Sequence, residues 1–292
     1  MSSTAGVLYV VATPIGNLAD ITQRALRVLG EVTIVAAEDT RRTRQLLAHY
    51  GIAARLTSLH EHNEADATSR LLARLGRGDD IALVSDAGTP LISDPGFLLV
   101  QEARRRGYRV VPVPGPSAAL SALSASGLPC DRFLFIGFPP RSRAKRRTWL
   151  RPLSRERATL ILYEAGNRVV GTLGDLAAIL GGQRRAVVAR ELTKRFETFL
   201  CSTLDDLTRH IQSEPKQQQG ELVVLVEGER AAVAETEQTD EERVLRILLA
   251  ELPLKQAAAL AAEITGGKKN RLYELGLRLQ GDRAAGTGSD GL

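Results

Sequence analysis

The chain has 292 residues, 43% of them apolar, and a net charge of +5, which is enough apolar material for two packed domains and a short appendage. No stretch approaches the ~20 consecutive apolar residues of a membrane span, and Met1-Ser2-Ser3-Thr4-Ala5-Gly6 lacks the basic and apolar regions of a secretion signal. The two cysteines, Cys130 and Cys201, stand apart, which fits a reducing cytoplasm and makes no metal-ligand cluster.

The first half alternates strands with helices. Leu8–Ala12 reads as a strand, followed by a helix from near Asp20, taken as its N-cap, with Ile21, Ala25, Leu26 and Leu29 on one face. Strand Val32–Ala36 leads through Glu38-Asp39-Thr40 into a helix carrying Leu46 and Leu47 that stops at Gly51. Strand Arg55–Leu59, the segment His60-Glu61-His62-Asn63-Glu64, helix Ala65–Leu75 and the apolar strand Ile81–Val84 follow. Helix Phe97–Arg106 closes at Gly107 before strand Arg109–Val113. Such alternation predicts a largely parallel sheet over residues 1–115.

The pattern then changes. A small-residue helix, Ser117–Ser126, precedes strands at Phe133–Phe138, Ala158–Tyr163, Ala186–Arg190 and Glu221–Glu227, with a helix at Val169–Leu180. Short extended connections predict a mixed sheet in a second domain, 116–228. An acidic linker spans 229–240, and a helical module spans 241–280. In it, Glu241–Leu252, Leu254–Thr265 and Leu272–Leu279 are helical, and Lys268 and Lys269 open the last helix in a helix-turn-helix pattern suited to nucleic acid. The Gly-rich tail 281–292 is expected to be disordered.

Three strands end in small-residue loops: Thr13-Pro14-Ile15-Gly16-Asn17, Ser85-Asp86-Ala87-Gly88-Thr89-Pro90 and Pro114-Gly115-Pro116-Ser117-Ala118. Strand C-termini are where ligands bind in open α/β sheets, so the three loops predict one shared small-molecule site. A G-x-G-x-x-G fingerprint and a G-x-x-x-x-G-K-[ST] loop are both absent, which disfavours ordinary dinucleotide and ATP sites. His49, His60, His62 and His210 assemble no convincing metal set, and no metal is expected. Eight bases crowd between Arg141 and Arg157, opposed by Glu156, and point to a polyanionic partner.

Thr13–Ile21, Ala37-Glu38-Asp39-Thr40-Arg41, Ser85–Pro90 and Pro114–Ala118 together resemble the tetrapyrrole (class III) methylase superfamily, and within it the ribosomal RNA small subunit methyltransferase I family. Ala189-Arg190-Glu191-Leu192-Thr193-Lys194 and Gly220-Glu221-Leu222-Val223 match that family's second domain, while Glu251–Lys255 and Lys268-Lys269-Asn270 match its C-terminal piece. The resemblance covers Leu8 to Gln280. It implies two α/β domains with S-adenosylmethionine in the cleft between them, a homodimer, and 2′-O-methylation of a cytidine in the decoding region of 16S ribosomal RNA, in the small ribosomal subunit. Carried over by motif, it implies cofactor contacts from Pro14, Asp86, Ala87, Gly88, Ser117, Ala118, Tyr163, Glu191, Leu222 and Val223. Superfamily members acting on tetrapyrroles usually begin with G-x-G-P-G, which Thr13-Pro14-Ile15-Gly16-Asn17 replaces. That departure favours the RNA branch over a methylase of a corrin or porphyrin precursor. Intact Asp86–Gly88 and Pro114–Ser117 loops argue against a non-catalytic RNA-binding factor.

Methyl transfer to a ribose oxygen is helped by a group that takes the hydroxyl proton. The candidates are Glu38, Asp39, His60 and Glu61, with His62 beside them. Candidate RNA contacts are Arg141, Arg143, Lys145, Arg146 and Arg147, with Trp149 available to stack on a base, and Lys268 and Lys269 in the helical module.

Overall fold

In a computed structural model, which describes residues 5–229 and 240–286, the chain divides into two compact units, residues 1–230 and 231–292. The first unit holds two five-stranded sheets. Strands β1 (Val7–Val11), β2 (Ile34–Ala37), β3 (Leu56–Ser58), β4 (Ile81–Val84) and β5 (Arg109–Val113) lie in the order β3-β2-β4-β1-β5, all parallel. Alternation along β2 sorts its side chains between the faces. Val35 and Ala37 pack with helices α1 (Gln23–Glu31) and α2 (Thr40–His49), while Ile34 and Ala36 pack with α3 (Glu64–Leu75) and α4 (Phe97–Arg105). Chains leaving β1 and β2 therefore turn to one face and the chain leaving β4 turns to the other. A crevice opens on each side of β4 at its C-terminal end.

The second sheet is mixed, as its sequence predicts. Strands β6 (Phe133–Phe135), β7 (Thr159–Ala165), β8 (Arg185–Arg190), β9 (Thr198–Thr203) and β10 (Glu221–Val226) run in the order β6-β7-β10-β8-β9, with β6 and β7 parallel and the other pairs antiparallel. Along β10, Val223 and Leu225 face α5 (Ala118–Ser126), whereas Leu222, Val224 and Val226 face α6 (Arg143–Leu150), α7 (Val169–Leu180) and α8 (Leu204–Ser213). Both faces are thus covered, which is why β10 reads as an unbroken apolar run.

Local chemistry corrects several expected boundaries. Helix α1 is capped by Thr22, whose Oγ1 accepts the Ala25 N–H at 3.1 Å; Asp20 belongs to a separate 3-10 turn, Leu18–Asp20, capped by Asn17. The strand expected to reach Phe138 ends at Phe135, and Gly137 (φ +68°) turns the chain beyond it. Edge strand β9 and helix α8 were not expected; Thr203 caps α8, and Leu204, Leu207 and Ile211 form its buried stripe.

The second unit contains α9 (Asp240–Glu251), α10 (Leu254–Thr265) and α11 (Lys269–Gly286) around Leu245, Ala257, Ala258, Ala261 and Leu272. Gly266 ends α10 at φ +73°, and a Cβ on Gly276 would lie 2.3 Å from Leu254 Cδ1, so glycine allows α11 to approach α10 closely. Helix α11 runs through Gly286, so the first six residues of the tail expected to be disordered are helical. Residues 287–292, and 230–239 of the acidic linker, lie outside the described residues. Among the described residues, no helix is long and apolar enough to cross a membrane.

Candidate active site

The three loops read from the sequence are stitched together by hydrogen bonds. Thr13 and Gly88 exchange two backbone bonds, with N–H to O distances of 2.8 and 3.0 Å, so the loops after β1 and β4 form a short bridge. Gly88 sits at φ +80°, and a Cβ there would meet Ile15 Cγ2 at 3.3 Å. The Thr89 hydroxyl donates to the Pro116 carbonyl at 3.1 Å, tying in the loop after β5. The segment after β2 joins through Asp86. Its Oδ1 accepts the Asp39 N–H at 3.0 Å, its Oδ2 lies 3.1 Å from the Arg42 guanidinium, and its own N–H points to Glu38 Oε2 at 3.5 Å.

The second sheet closes the site from the other side. The Tyr163 hydroxyl accepts the Ala119 N–H at 3.2 Å, holding β7 against the start of α5. A Cβ on Gly16 would lie 2.8 Å from the Leu192 carbonyl oxygen, so the first loop and the Leu192–Lys194 turn touch backbone to backbone. That turn carries two strained residues, Glu191 (φ +53°) and Thr193 (φ +63°). It is braced by the Lys194 ammonium, 3.1 Å from both the Glu191 and Glu221 carboxylates.

Between these walls lies a cavity of about 400 Å³. Of the expected cofactor contacts, Asp86, Ala87, Gly88, Ser117, Ala118, Tyr163, Leu222 and Val223 line it. Pro14 instead lines an adjacent hollow, and Glu191 sits behind the wall, where it accepts from Lys194 Nζ and from the Glu221 N–H at 3.2 Å. Of the proton-acceptor candidates, Glu38 lines the cavity. Asp39 caps α2, and the Arg41 N–H it accepts holds its carboxyl below the usual carboxylate range. His60 and Glu61 lie off the cavity, in the turn before α3, where the His60 N–H donates to Asn63 Oδ1 at 2.9 Å.

The sequence reading missed Asp94, which joins Glu38 and Asp86 on the cavity wall. Burial pushes the Asp94 carboxyl up to about 6 against a hydrogen bond to Ser85, and the Glu38 and Asp86 charges push the same way. Burial and Asp86 likewise raise Glu38. Asp94 follows two non-glycine residues in the left-handed region, Leu91 (φ +73°) and Ser93 (φ +70°). The sequence signal that could have found it is Asp94-Pro95-Gly96, a turn placed directly before a helix.

The expected arginine surface is corrected at Arg146. Arg146 is buried, with its guanidinium 2.7 Å from Asp175, a carboxylate on α7 that is itself 1% exposed. Arg143 and Arg147 converge on the other oxygen of the same carboxylate at 3.2 and 3.1 Å. Trp149 is partly buried and packs against the core beneath this helix. Arg141, Arg143, Lys145, Lys268 and Lys269 are exposed.

The family of Tetrapyrrole (Corrin/Porphyrin) Methylases matches residues 7–208, and the RsmI C-terminal HTH domain matches residues 235–280. A ribosomal RNA small subunit methyltransferase I from Pseudomonas aeruginosa is 56% identical over 279 residues, covering 95% of this chain and 99% of that relative. A protein of the same name from a strain of Escherichia coli is 54% identical over 94% of this chain and 96% of its own length. The chain belongs to the ribosomal RNA small subunit methyltransferase I family. It is an S-adenosylmethionine-dependent methyltransferase of the tetrapyrrole methylase class. Among solved structures, the methyltransferase CobJ superposes with a TM-score of 0.58 at 20% identity, covering 80% of this chain and 98% of its own. Uroporphyrin-III-C-methyltransferase from Thermus thermophilus gives 0.52 at 24% identity, covering 75% and 94%. These two establish a shared fold.

The cavity suits this cofactor on its own chemistry. Ile15, Leu192, Leu222 and Val223 form an apolar wall with Tyr163, suited to an adenine ring, and Glu38, Asp86 and Asp94 offer carboxylates to a cationic centre. Helix α5 begins at Ser117 without a side-chain cap, and Ser117 and Ala118 line the cavity. With the Ala119 N–H taken by Tyr163, the Ala118 N–H is the first-turn donor there that could meet an anionic group such as the cofactor carboxylate.

Proposed function

We propose that this chain methylates the ribose 2′-oxygen of a cytidine in the decoding region of 16S ribosomal RNA, acting in the cytoplasm as a homodimer on the small ribosomal subunit. The observation that carries this reading is the 56% identity, over nearly the full length of both chains, to a relative named for ribosomal RNA small subunit methylation. In this reading Asp86, Ala87, Gly88, Ser117 and Ala118 hold the amino-acid and ribose portions of S-adenosylmethionine, and Tyr163, Leu222 and Val223 hold its adenine. When bound, the cofactor supplies a methyl group on a sulfonium centre. The protein aligns the acceptor hydroxyl with it and excludes water. Glu38, the one of the four original candidates on the cavity wall, takes the proton released from the hydroxyl. Arg141, Lys145, Lys268 and Lys269 contribute phosphate contacts.

The test is methyl transfer from labelled cofactor to small subunits isolated from a strain lacking this enzyme, followed by nucleoside mapping. One 2′-O-methylcytidine in the decoding region is expected. Label on a base, or RNA left unlabelled while a porphyrin or corrin precursor is methylated, would overturn the reading. Equilibrium sedimentation at the same protein concentration checks the dimer.

A further inference from the structure

Two large apolar side chains that line the cofactor cavity are left open to water. Phe138 is 55% exposed and Ile92 is 41% exposed, so both stand on the cavity rim. The backbone around Phe138 is nevertheless pinned on both sides. The Gly137 carbonyl accepts the Tyr163 N–H at 3.0 Å, and the Pro139 carbonyl accepts from the Arg168 guanidinium at 2.6 Å. Ile92 lies between Leu91 (φ +73°) and Ser93 (φ +70°), two non-glycine residues in the left-handed region. A Cβ on Gly137 would meet Ser93 Oγ at 3.6 Å, so the turns carrying Phe138 and Ile92 lie side by side. The Phe138 ring packs against Tyr163 with centroids 5.5 Å apart. The charge of Asp94 bears in turn on Tyr163, and that of Glu38 on Asp94. One line of neighbours therefore runs from the exposed ring through Tyr163 and Asp94 to Glu38.

We infer that this rim receives the base of the target nucleoside, with the Phe138 ring stacked on its face and Ile92 beside it. The inference rests on the RNA reading above and deepens it. A ribose oxygen reaches a methyl group inside this cavity only if its nucleoside leaves the RNA stack, and an unstacked base needs another surface to cover it. An aromatic face supplies that surface without charge, and a ring on fixed backbone loses little freedom in doing so. The chain beyond the ring suits the flanking strand. Arg141, three positions after Phe138, and Lys145 are exposed and make no ion pair among the described residues. A second copy of the chain seated on Phe138 and Ile92 would instead cover the rim by which the acceptor reaches Glu38.

The experiment compares the parent chain with Phe138→Leu, which keeps bulk and apolarity, with Phe138→Trp, which keeps a flat ring, and with Ile92→Ala. The measurements are KM and kcat for unmethylated small subunits, subunit affinity across a salt series, S-adenosylmethionine affinity by calorimetry, and mass by equilibrium sedimentation. Phe138→Leu is expected to raise the subunit KM about tenfold, the loss of one base–aromatic stack, while Phe138→Trp stays close to the parent. Ile92→Ala should raise the same KM by a smaller factor. The log–log salt slope should not change in any variant, because stacking releases no counterions. Cofactor affinity should match the parent in all three, which also shows that they are folded. A subunit KM for Phe138→Leu equal to the parent's would overturn the assignment. Cofactor affinity lost in parallel would give the ring to the cofactor, and a fall in mass would give it to a second copy; either result also overturns it. If the parent chain itself transfers no methyl group to RNA, it is the underlying RNA reading that fails, and this assignment with it.

Discussion

Arg42 and Asp86 meet at 3.1 Å across the C-terminal edge of the first sheet, and their pair is the common wall of two adjoining cavities. Asp86 also accepts the Asp39 N–H, so one carboxylate joins the loop after β4 to the start of α2. Replacing it with asparagine keeps the shape and removes the charge. A hydrogen bond to a charged group is worth roughly 1.5–3 kcal/mol, so Asp86→Asn should weaken S-adenosylmethionine binding about tenfold or more. Calorimetric titration checks this, with RNA affinity expected to fall less.

Gly16 is a backbone contact between the two halves of the cleft. A methyl group there would lie 2.8 Å from the Leu192 carbonyl oxygen, a backbone atom that cannot rotate away. Gly16→Ala should therefore push the first loop from the Leu192–Lys194 turn and raise the cofactor KM several-fold. The cores lie elsewhere, so the thermal midpoint should move little. A cofactor KM equal to the parent's would show that the turn yields freely.

The carboxyl of Asp94 should leave a signature in the pH dependence of stability. Its value in the folded chain, about 6, exceeds the ordinary 3.8, so the folded state holds this proton more tightly than the unfolded chain. Stability linked to Asp94 is fully present below about pH 4 and is lost as pH rises to about 6. Asp94→Asn cannot ionise and should be more stable than the parent above pH 6. The gain is on the order of 1 kcal/mol, since Asp94 is only partly buried and solvent screens it. Denaturant unfolding at pH 5 and pH 8 checks the sign: the advantage should be larger at pH 8.

Arg146 should behave as part of the fold. It donates to Asp175, to the Pro140 carbonyl at 3.4 Å and to the Gly171 carbonyl at 3.3 Å, linking α6 to α7. Arg146→Ala leaves a buried carboxylate short of a partner, and breaking such a pair costs about 3–5 kcal/mol. Arg143 and Arg147 remain near Asp175, so the lower end is expected in chemical denaturation. Cofactor affinity at a temperature where the variant stays folded should match the parent's.

The legible and illegible parts of the fold divide along physical lines. The strand-end loops could be read because glycine and proline at fixed offsets after an apolar run constrain the backbone locally, and eight of ten expected cofactor contacts do line one cavity. Glu191 and Pro14 could not be placed, because loop direction depends on packing between distant segments. The basic run from Arg141 looked like a free surface because its counter-ion lies elsewhere: Arg146 and Asp175 are 29 residues apart. Local charge counting cannot see a carboxylate that arrives on another helix.

The cluster on Asp175 still acts at a distance. Three guanidinium groups face one carboxylate, so an excess of two positive charges stays fixed on that side of the second sheet. Arg146 is buried and offers no free donor to a phosphate, whereas Arg143 and Arg147 stay partly exposed, and the field of the cluster reaches about a Debye length into solution, ~8 Å at physiological salt. Such a fixed charge accelerates the arrival of a polyanion. The basic run noticed in the sequence thus extends beyond its own contacts as a field around the second sheet.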